Sequence, residues 1–287
     1  MAKAFWTEDV SELLRVAPGF RLGEVAPAST PGTEADQKRG EKELSAGADR
    51  LKELQERLYA ESAMGGTRRV LLILQAMDAA GKGGIVNHVL GQIDPHGLHL
   101  SAFKKPTPEE REHDFLWRIA KRVPEAGVIG VFDRSHYEDV LIQRVREMAP
   151  PEEIERRYGA INDFEAGLVA EDTHIIKVML HISPEQQAKR LLDRLARPEK
   201  QWKYNPGDAD ERLLWAEYQE AFQVMLDRTT QDDAPWYVVP ADNKWYARVA
   251  VQKILTEVLE SLAPDWPAPD YDVATERERI EASRGTL

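Results

Sequence analysis

The 287-residue chain has no cysteine, which excludes disulfides and thiolate chemistry. It has no apolar run approaching the ~18 residues of a membrane-spanning helix. The opening Met1-Ala2-Lys3-Ala4-Phe5-Trp6-Thr7-Glu8-Asp9 lacks the apolar stretch of a secretory signal. These absences predict a cytoplasmic protein with no membrane partner. The seven histidines are scattered, and none falls in a zinc-binding spacing. The Gly-x-Ser-x-Gly turn of serine hydrolases is also missing. No repeats or low-complexity tracts occur. Basic residues are in deficit, 38 Lys+Arg against 50 Asp+Glu for a net charge of −12, which argues against a general nucleic-acid binder.

That deficit is uneven. Residues 104–203 hold 18 basic and 19 acidic side chains, a net of −1, so the remainder carries −11. Lys104-Lys105, the group Arg118, Lys121 and Arg122, and the series Arg190, Arg194 and Arg197 supply material for a local positive groove in an acidic protein. Taken singly, each of these also suits an ordinary solvated face.

The pattern along the chain predicts an α/β fold. Residues 1–32 read as irregular, an extended arm or loop ending in Ala26-Pro27-Ala28-Ser29-Thr30-Pro31-Gly32. Residues 34–63 form a helix, with Leu44, Leu51, Leu54, Leu58 and Tyr59 on one face and Gly65-Gly66 as its stop. Short apolar runs at 70–76, 128–132, 175–182 and 236–239 read as buried strands, with 99–103 as a fifth. Helical patterns separate them, which implies a parallel sheet flanked by helices within a body spanning 33–265. Residues 184–228 are charged. They read as a helix at 186–196, a turn at 197–208 and a single helix at 209–227, a hairpin suited to close as a lid. A closing helix covers 243–262. The tail at 266–287 reads as a surface wrap or a partner contact. With the long first helix, it predicts a homo-oligomer.

The densest chemistry lies at Leu74-Gln75-Ala76-Met77-Asp78-Ala79-Ala80-Gly81-Lys82-Gly83-Gly84. An apolar strand breaking into a small, glycine-rich turn with a lysine is the grammar of a phosphate cradle, in which backbone amides face an anion. The backbone of Ala79, Ala80, Gly81, Gly83 and Gly84 would line it, with Lys82 as the mobile charge. Against Gly-x-x-x-x-Gly-Lys-Ser/Thr, alanine stands at 76 and glycine at 83, so the hydroxyl that holds Mg²⁺ is absent. Asp78 is placed to replace it. The run Val128-Ile129-Gly130-Val131-Phe132-Asp133 ends in a carboxylate like a Walker B strand, which makes Asp133 a second metal candidate; an N-cap is the other reading. Arg134, Lys104, Lys105, Arg190 and Arg194 are candidates to neutralise phosphate, Arg190 and Arg194 sharing one helix face. His136 fits a structural role, and Trp202 and Tyr204 fit packing of the lid ahead of the other reading, stacking on a base.

Several ordered segments then carry a resemblance. The loop, Phe103-Lys104-Lys105-Pro106-Thr107-Pro108-Glu109-Glu110, Phe132-Asp133-Arg134-Ser135-His136-Tyr137-Glu138-Asp139-Val140, Trp202-Lys203-Tyr204 and the stretch from Trp236 to Arg248 closely resemble the family-2 polyphosphate kinases over about residues 40–262. The resemblance implies a P-loop kinase fold similar to thymidylate kinases, with a helical lid. It implies reversible phosphoryl transfer between inorganic polyphosphate and AMP, ADP or ATP, with Mg²⁺ or Mn²⁺. Asp78, Lys82, Asp133 and Arg134 take the catalytic positions, and the lid arginines with Lys104, Lys105 and Lys203 the phosphate chain. Gly83 departs from the aspartate of many members. The Ser135–Asp139 segment resembles the branch that accepts both AMP and ADP, which makes Glu138 the candidate for nucleotide selectivity. An ATP-dependent small-molecule kinase and a non-catalytic phosphate-binding regulator are the alternatives.

Overall fold

A computed structural model describes residues 4–284. In chain order its helices and strands are α1 (Val10–Leu14), α2 (Gln37–Ala63), β1 (Arg69–Ala76), α3 (Lys82–His88), β2 (Leu98–Ala102), α4 (Trp117–Ala120), β3 (Ile129–Asp133), α5 (Ile142–Val145) and α6 (Pro151–Ala170). They continue as β4 (Thr173–His181), α7 (Pro184–Ala196), α8 (Pro198–Gln201), α9 (Gly207–Arg212), α10 (Trp215–Thr229), β5 (Trp236–Pro240), α11 (Lys244–Leu262) and α12 (Val273–Ser283). The five strands form one parallel sheet in the order β2-β3-β1-β4-β5. Val70 to Leu74 at its centre are fully buried, the continuous apolar run expected of a strand covered on both faces. Among the described residues no helix is long and apolar enough to cross a membrane.

Parallel pairing fixes where chemistry can occur. Leu74 of β1 registers with Asp133 of β3, and Ala76 with Leu180 of β4, so the segments leaving β1, β3 and β4 emerge at one edge. Ligands of open α/β sheets bind beyond these carboxyl ends. Helix α11 closes the body against α2 at very short range. A Cβ at Gly40 would lie 2.2 Å from the Trp245 ring, so only glycine permits this approach.

Behind the strand ends sits a buried ionic cluster. Lys177 is fully buried in β4, and its Nζ donates to Glu165 Oε2 (2.6 Å), to the Thr229 carbonyl (2.6 Å) and to Tyr137 Oη (3.2 Å). Tyr137 Oη donates to Glu165 Oε1 at 2.7 Å, and His136 Nε2 lies 3.1 Å from the same oxygen. Desolvation works against the Glu165 charge, yet Lys177 and His136 hold its carboxyl below the usual range. The cluster pins the turn after β3 to α6 and β4, which bears out the structural reading of His136.

Three expectations change. The N-terminal stretch is largely irregular, as a loop, but it is not an extended arm. Its described part forms α1, capped by the Asp9 side chain, and docks through buried Val10, Leu14, Val16 and Leu22. Arg15 makes an antiparallel bridge to Tyr237, and Val16 N donates to the Trp236 carbonyl at 2.8 Å. The arm thus covers part of the free edge of β5, whose backbone groups would otherwise lack partners. The expected helix at 209–227 is split into α9 and α10. The break falls at Leu213, which is 82% exposed, and Leu214, because α10 turns Tyr218, Ala221, Phe222 and Met225 into the core while α9 leans over the groove. The turn at 197–208 contains α8, opened by Pro198 in the first helical position. In the tail, α12 is capped by Asp272 and buries no residue.

Candidate active site

β1 ends at Ala76, and the chain passes through Met77–Gly81 into α3. Two residues of this loop adopt left-handed backbone: Ala79 at φ +62° and Gly81 at φ +130°. The glycine meets that demand freely, whereas the alanine carries strain. The carbonyls of Asp78, Ala79 and Ala80 all point back to α7. Gln187 Nε2 donates to Asp78 O at 2.9 Å, and Arg190 Nη1 to Ala79 O (3.0 Å) and Ala80 O (2.5 Å). In a trans peptide the next N–H faces the opposite way, here towards the cavity for Ala79 and Gly81. Ala80 N is instead used within the loop, on Met77 O at 3.2 Å. Lys82 Nζ donates to Ala76 O at 3.2 Å, which parks the ammonium at the strand end.

β3 delivers Asp133 and Arg134 opposite this loop. Arg134, at φ +89°, swings its guanidinium to Asp78 Oδ1 at 2.9 Å. Desolvation opposes its charge, but Asp78, Glu138, Asp133 and Asp208 together hold it above its ordinary pKa. Gln75, fully buried in β1, donates to Ser135 Oγ at 3.1 Å and steadies this turn. Glu138 lies in the electrostatic reach of Arg134, Lys82 and Asp78. Burial raises its pKa, with Arg134 and Lys82 opposing.

Above these groups opens a cavity of about 620 Å³. Its wall carries Lys82, Lys104 and Arg134 near the strand ends, Arg190, Arg194, Arg197, Lys200 and Lys203 from α7, α8 and the residues between and after them, and Lys244 and Arg248 from α11. Against these ten cations stand four carboxylates, Asp78, Asp133, Asp193 and Asp208, a local net charge of +6 within a chain of −12. Burial lowers the Lys244 pKa, and Arg190, Lys200 and Arg248 lower it further by repulsion. Burial likewise lowers that of Arg248. This is the electrostatics of a site that awaits an anion.

The fold brings together Asp78, Ala79, Ala80, Gly81, Lys82, Gly83, Gly84, Asp133, Arg134, Lys104, Arg190, Arg194 and Lys203. Lys105 is exposed outside the cavity wall, and Glu138 stands behind it. Arg190 differs from expectation. Its side chain is buried against backbone carbonyls, whereas Arg194, one turn on, is 3.6 Å from Asp208 across the cavity wall. Trp202 does not pack the lid: it is 77% exposed, with Lys203 Nζ 5.0 Å from its ring centre. Sequence reasoning missed Lys244 and Arg248 as site residues. Their signal was present, two cations four apart at the start of a helix following a strand end. Among the described residues no cluster of three or more His, Asp or Glu side chains is poised for a metal. Two carboxylates beside an anion cradle nevertheless suit Mg²⁺, which keeps waters and takes phosphate oxygens as further ligands.

A central parallel strand feeding a lysine-bearing phosphate loop, faced by a neighbouring strand that ends in Asp-Arg, defines a P-loop kinase fold. Within that class the chain belongs to the polyphosphate kinase 2 family, whose profile, Polyphosphate kinase 2 (PPK2), matches residues 34–265. It is 42% identical over 269 residues to the AMP/ADP-polyphosphate phosphotransferase of Meiothermus ruber, covering 93% of this chain and 98% of that one. It is 44% identical over 231 residues to the ADP-polyphosphate phosphotransferase of Rhodopseudomonas palustris, covering 76% and 78%. The crystal structure of polyphosphate kinase 2 from Arthrobacter aurescens TC1 superposes with a TM-score of 0.96 at 54% identity, over 99% of this chain and 100% of that chain.

Proposed function

We propose that this enzyme transfers phosphoryl groups reversibly between inorganic polyphosphate and AMP or ADP, yielding ADP and ATP. The observation that carries the reading is the cationic wall, which runs from Arg134 across the phosphate loop to Lys244 and Arg248. The relatives' names support the same donor and acceptors, and the Meiothermus relative is named for both AMP and ADP.

In this mechanism the loop amides and Lys82 hold the phosphates between which the bond breaks, and Arg134 with Arg194 offsets charge on the moving group. Lys104, Lys203, Lys244 and Arg248 guide the remaining chain. Asp78 and Asp133 would hold the divalent ion, Mg²⁺ or Mn²⁺, which when bound neutralises phosphate charge and orients phosphate oxygens. Asp78 also helps to orient the attacking phosphate oxygen. That oxygen is already ionised at neutral pH, so little general-base help is required. Residues 184–228 act as the lid that excludes water and prevents futile hydrolysis. Glu138, behind Arg134, tunes the choice between AMP and ADP. The enzyme works in the cytoplasm, where its nucleotide substrates are abundant, and as a homo-oligomer.

The test mixes purified protein, AMP or ADP, Mg²⁺ and polyphosphate without ATP. Formation of ADP or ATP is expected. Turnover with ATP and a small molecule but none with polyphosphate would replace the reading with an ATP-dependent kinase, and binding without transfer would make the chain a regulator. Asp133→Asn should lower kcat/KM on the order of a hundredfold and raise the Mg²⁺ requirement. An unchanged Mg²⁺ response removes Asp133 from the metal site.

A further inference from the structure

Two side chains of α7 grip the phosphate loop from behind. Arg190 is 5% exposed. Its Nη1 donates to Ala79 O (3.0 Å) and Ala80 O (2.5 Å), and its Nη2 to Ala241 O (2.6 Å) and Asp242 O (2.9 Å). Nε is buried without a partner. A guanidinium has five N–H donors, four of them on the terminal nitrogens. Those four are matched by four carbonyls, so no fork remains to present to a phosphate. Gln187, 1% exposed, adds the bond to Asp78 O at 2.9 Å, and its own Oε1 accepts from Arg212 Nη1 of α9 at 2.8 Å.

We propose that Arg190, acting with Gln187, is a positioning residue that sets the phosphate loop, and not the phosphate contact that its spacing from Arg194 suggests. By drawing three successive carbonyls to one side, the pair directs the cradle's amides to the other and holds Ala79 in its strained left-handed conformation. The same bonds join the loop to the start of the segment after β5, through Ala241 and Asp242. The first half of α7 therefore moves with the loop, so within the lid segment 184–228 the closing motion is confined to residues beyond Arg190. Arg212 is the link through which α9 bears on the Asp78 peptide.

The proposal rests on the phosphoryl-transfer reading for its kinetic arm only. Its primary test needs no substrate: amide hydrogen exchange across residues 77–84 in the unliganded wild type, Arg190→Lys, Gln187→Ala and Arg194→Gln. Lysine keeps the charge but cannot reach four carbonyls, so exchange in the loop should accelerate in Arg190→Lys, less so in Gln187→Ala, and not in Arg194→Gln. Should Arg190→Lys fail to fold, Gln187→Ala alone decides, and unchanged loop exchange there overturns the proposal. In turnover, Arg190→Lys should lower kcat tenfold to a hundredfold, on the order expected for a displaced loop. The slope of log KM for polyphosphate against log salt should stay as in wild type in Arg190→Gln, whereas Arg194→Gln should shallow it, because a phosphate contact fewer releases fewer counterions from a polyanion. Arg190→Lys with wild-type kcat and loop exchange ends the proposal, and Arg190→Gln with the shallower slope of Arg194→Gln ends it by assigning Arg190 to the phosphate. A wild type that transfers nothing would sink the function while leaving the exchange result standing.

Discussion

Around Lys177 every charge has a partner within hydrogen-bond distance, whereas in the groove ten cations face four carboxylates. The two regions are built from the same residue types and are tied to the same turn, residues 133–139. The buried cluster spends its charges on one another, which stiffens the turn and leaves nothing for a ligand. The groove leaves cations in excess, which costs the unliganded protein repulsion, as at Lys244, and stores an electrostatic preference for a polyanion. An ionic group in a fold thus contributes to structure or to binding according to whether its neighbours satisfy it. Arg190 and Arg194 show the same division within one helix turn.

The largest expected effect tests the groove. Lys82→Ala should lower kcat/KM for transfer from polyphosphate on the order of a thousandfold. Substantial residual turnover would show that the excess of cations does not depend on the loop lysine. At the other pole, Lys177→Met leaves Glu165 buried without its main partner and should cost about 3–5 kcal/mol of stability, read from denaturant midpoints. The KM for polyphosphate of the folded protein should stay as in wild type. A raised KM at unchanged stability would erase the contrast between the two regions.

Smaller effects sharpen the border between them. Glu138 stands between cluster and groove, and Glu138→Asn should shift the ratio of AMP to ADP turnover by about tenfold, the scale of a single hydrogen bond to a charged group. An unaltered ratio would place Glu138 with the structural side. Asp139, its neighbour, is buried, with Arg157 at 3.7 Å and Arg118 at 3.9 Å. Desolvation outweighs both arginines and raises its pKa from 3.8 to about 6. The folded state therefore binds this proton more tightly than the unfolded state, so stability from this group is present below pH 4 and is lost as pH rises to 6. Between pH 4 and 6, Asp139→Asn should show less loss of stability with rising pH than wild type. Parallel profiles would mean that the arginines fully pair the carboxylate.

Much of the fold was legible because its cues are local. The strands at 70–76, 128–132, 175–182 and 236–239 lie within two residues of those observed, since continuous apolar runs in a parallel sheet need no knowledge of their partners. The gathering of Asp78, Lys82, Asp133 and Arg134 around one cavity was legible because loop and strand-end positions are written in adjacent residues. The split between α9 and α10 was not, because both halves have helical composition and only the core on one side and the groove on the other force them apart. Lys244 and Arg248 share one face at the start of a helix, but only the placement of α11 beside the loop turns that face to the groove.

By itself the sequence determined the main strands, the glycine-rich loop with its lysine and the acids at the strand ends, because each follows from the period and chemistry of neighbouring residues. Tertiary structure decided which charges are free to bind. Arg190 and Arg194 share a helix face and a side-chain chemistry. Four carbonyls contributed by the loop and by the segment after β5 engage one of them, and no local pattern records where those carbonyls will point.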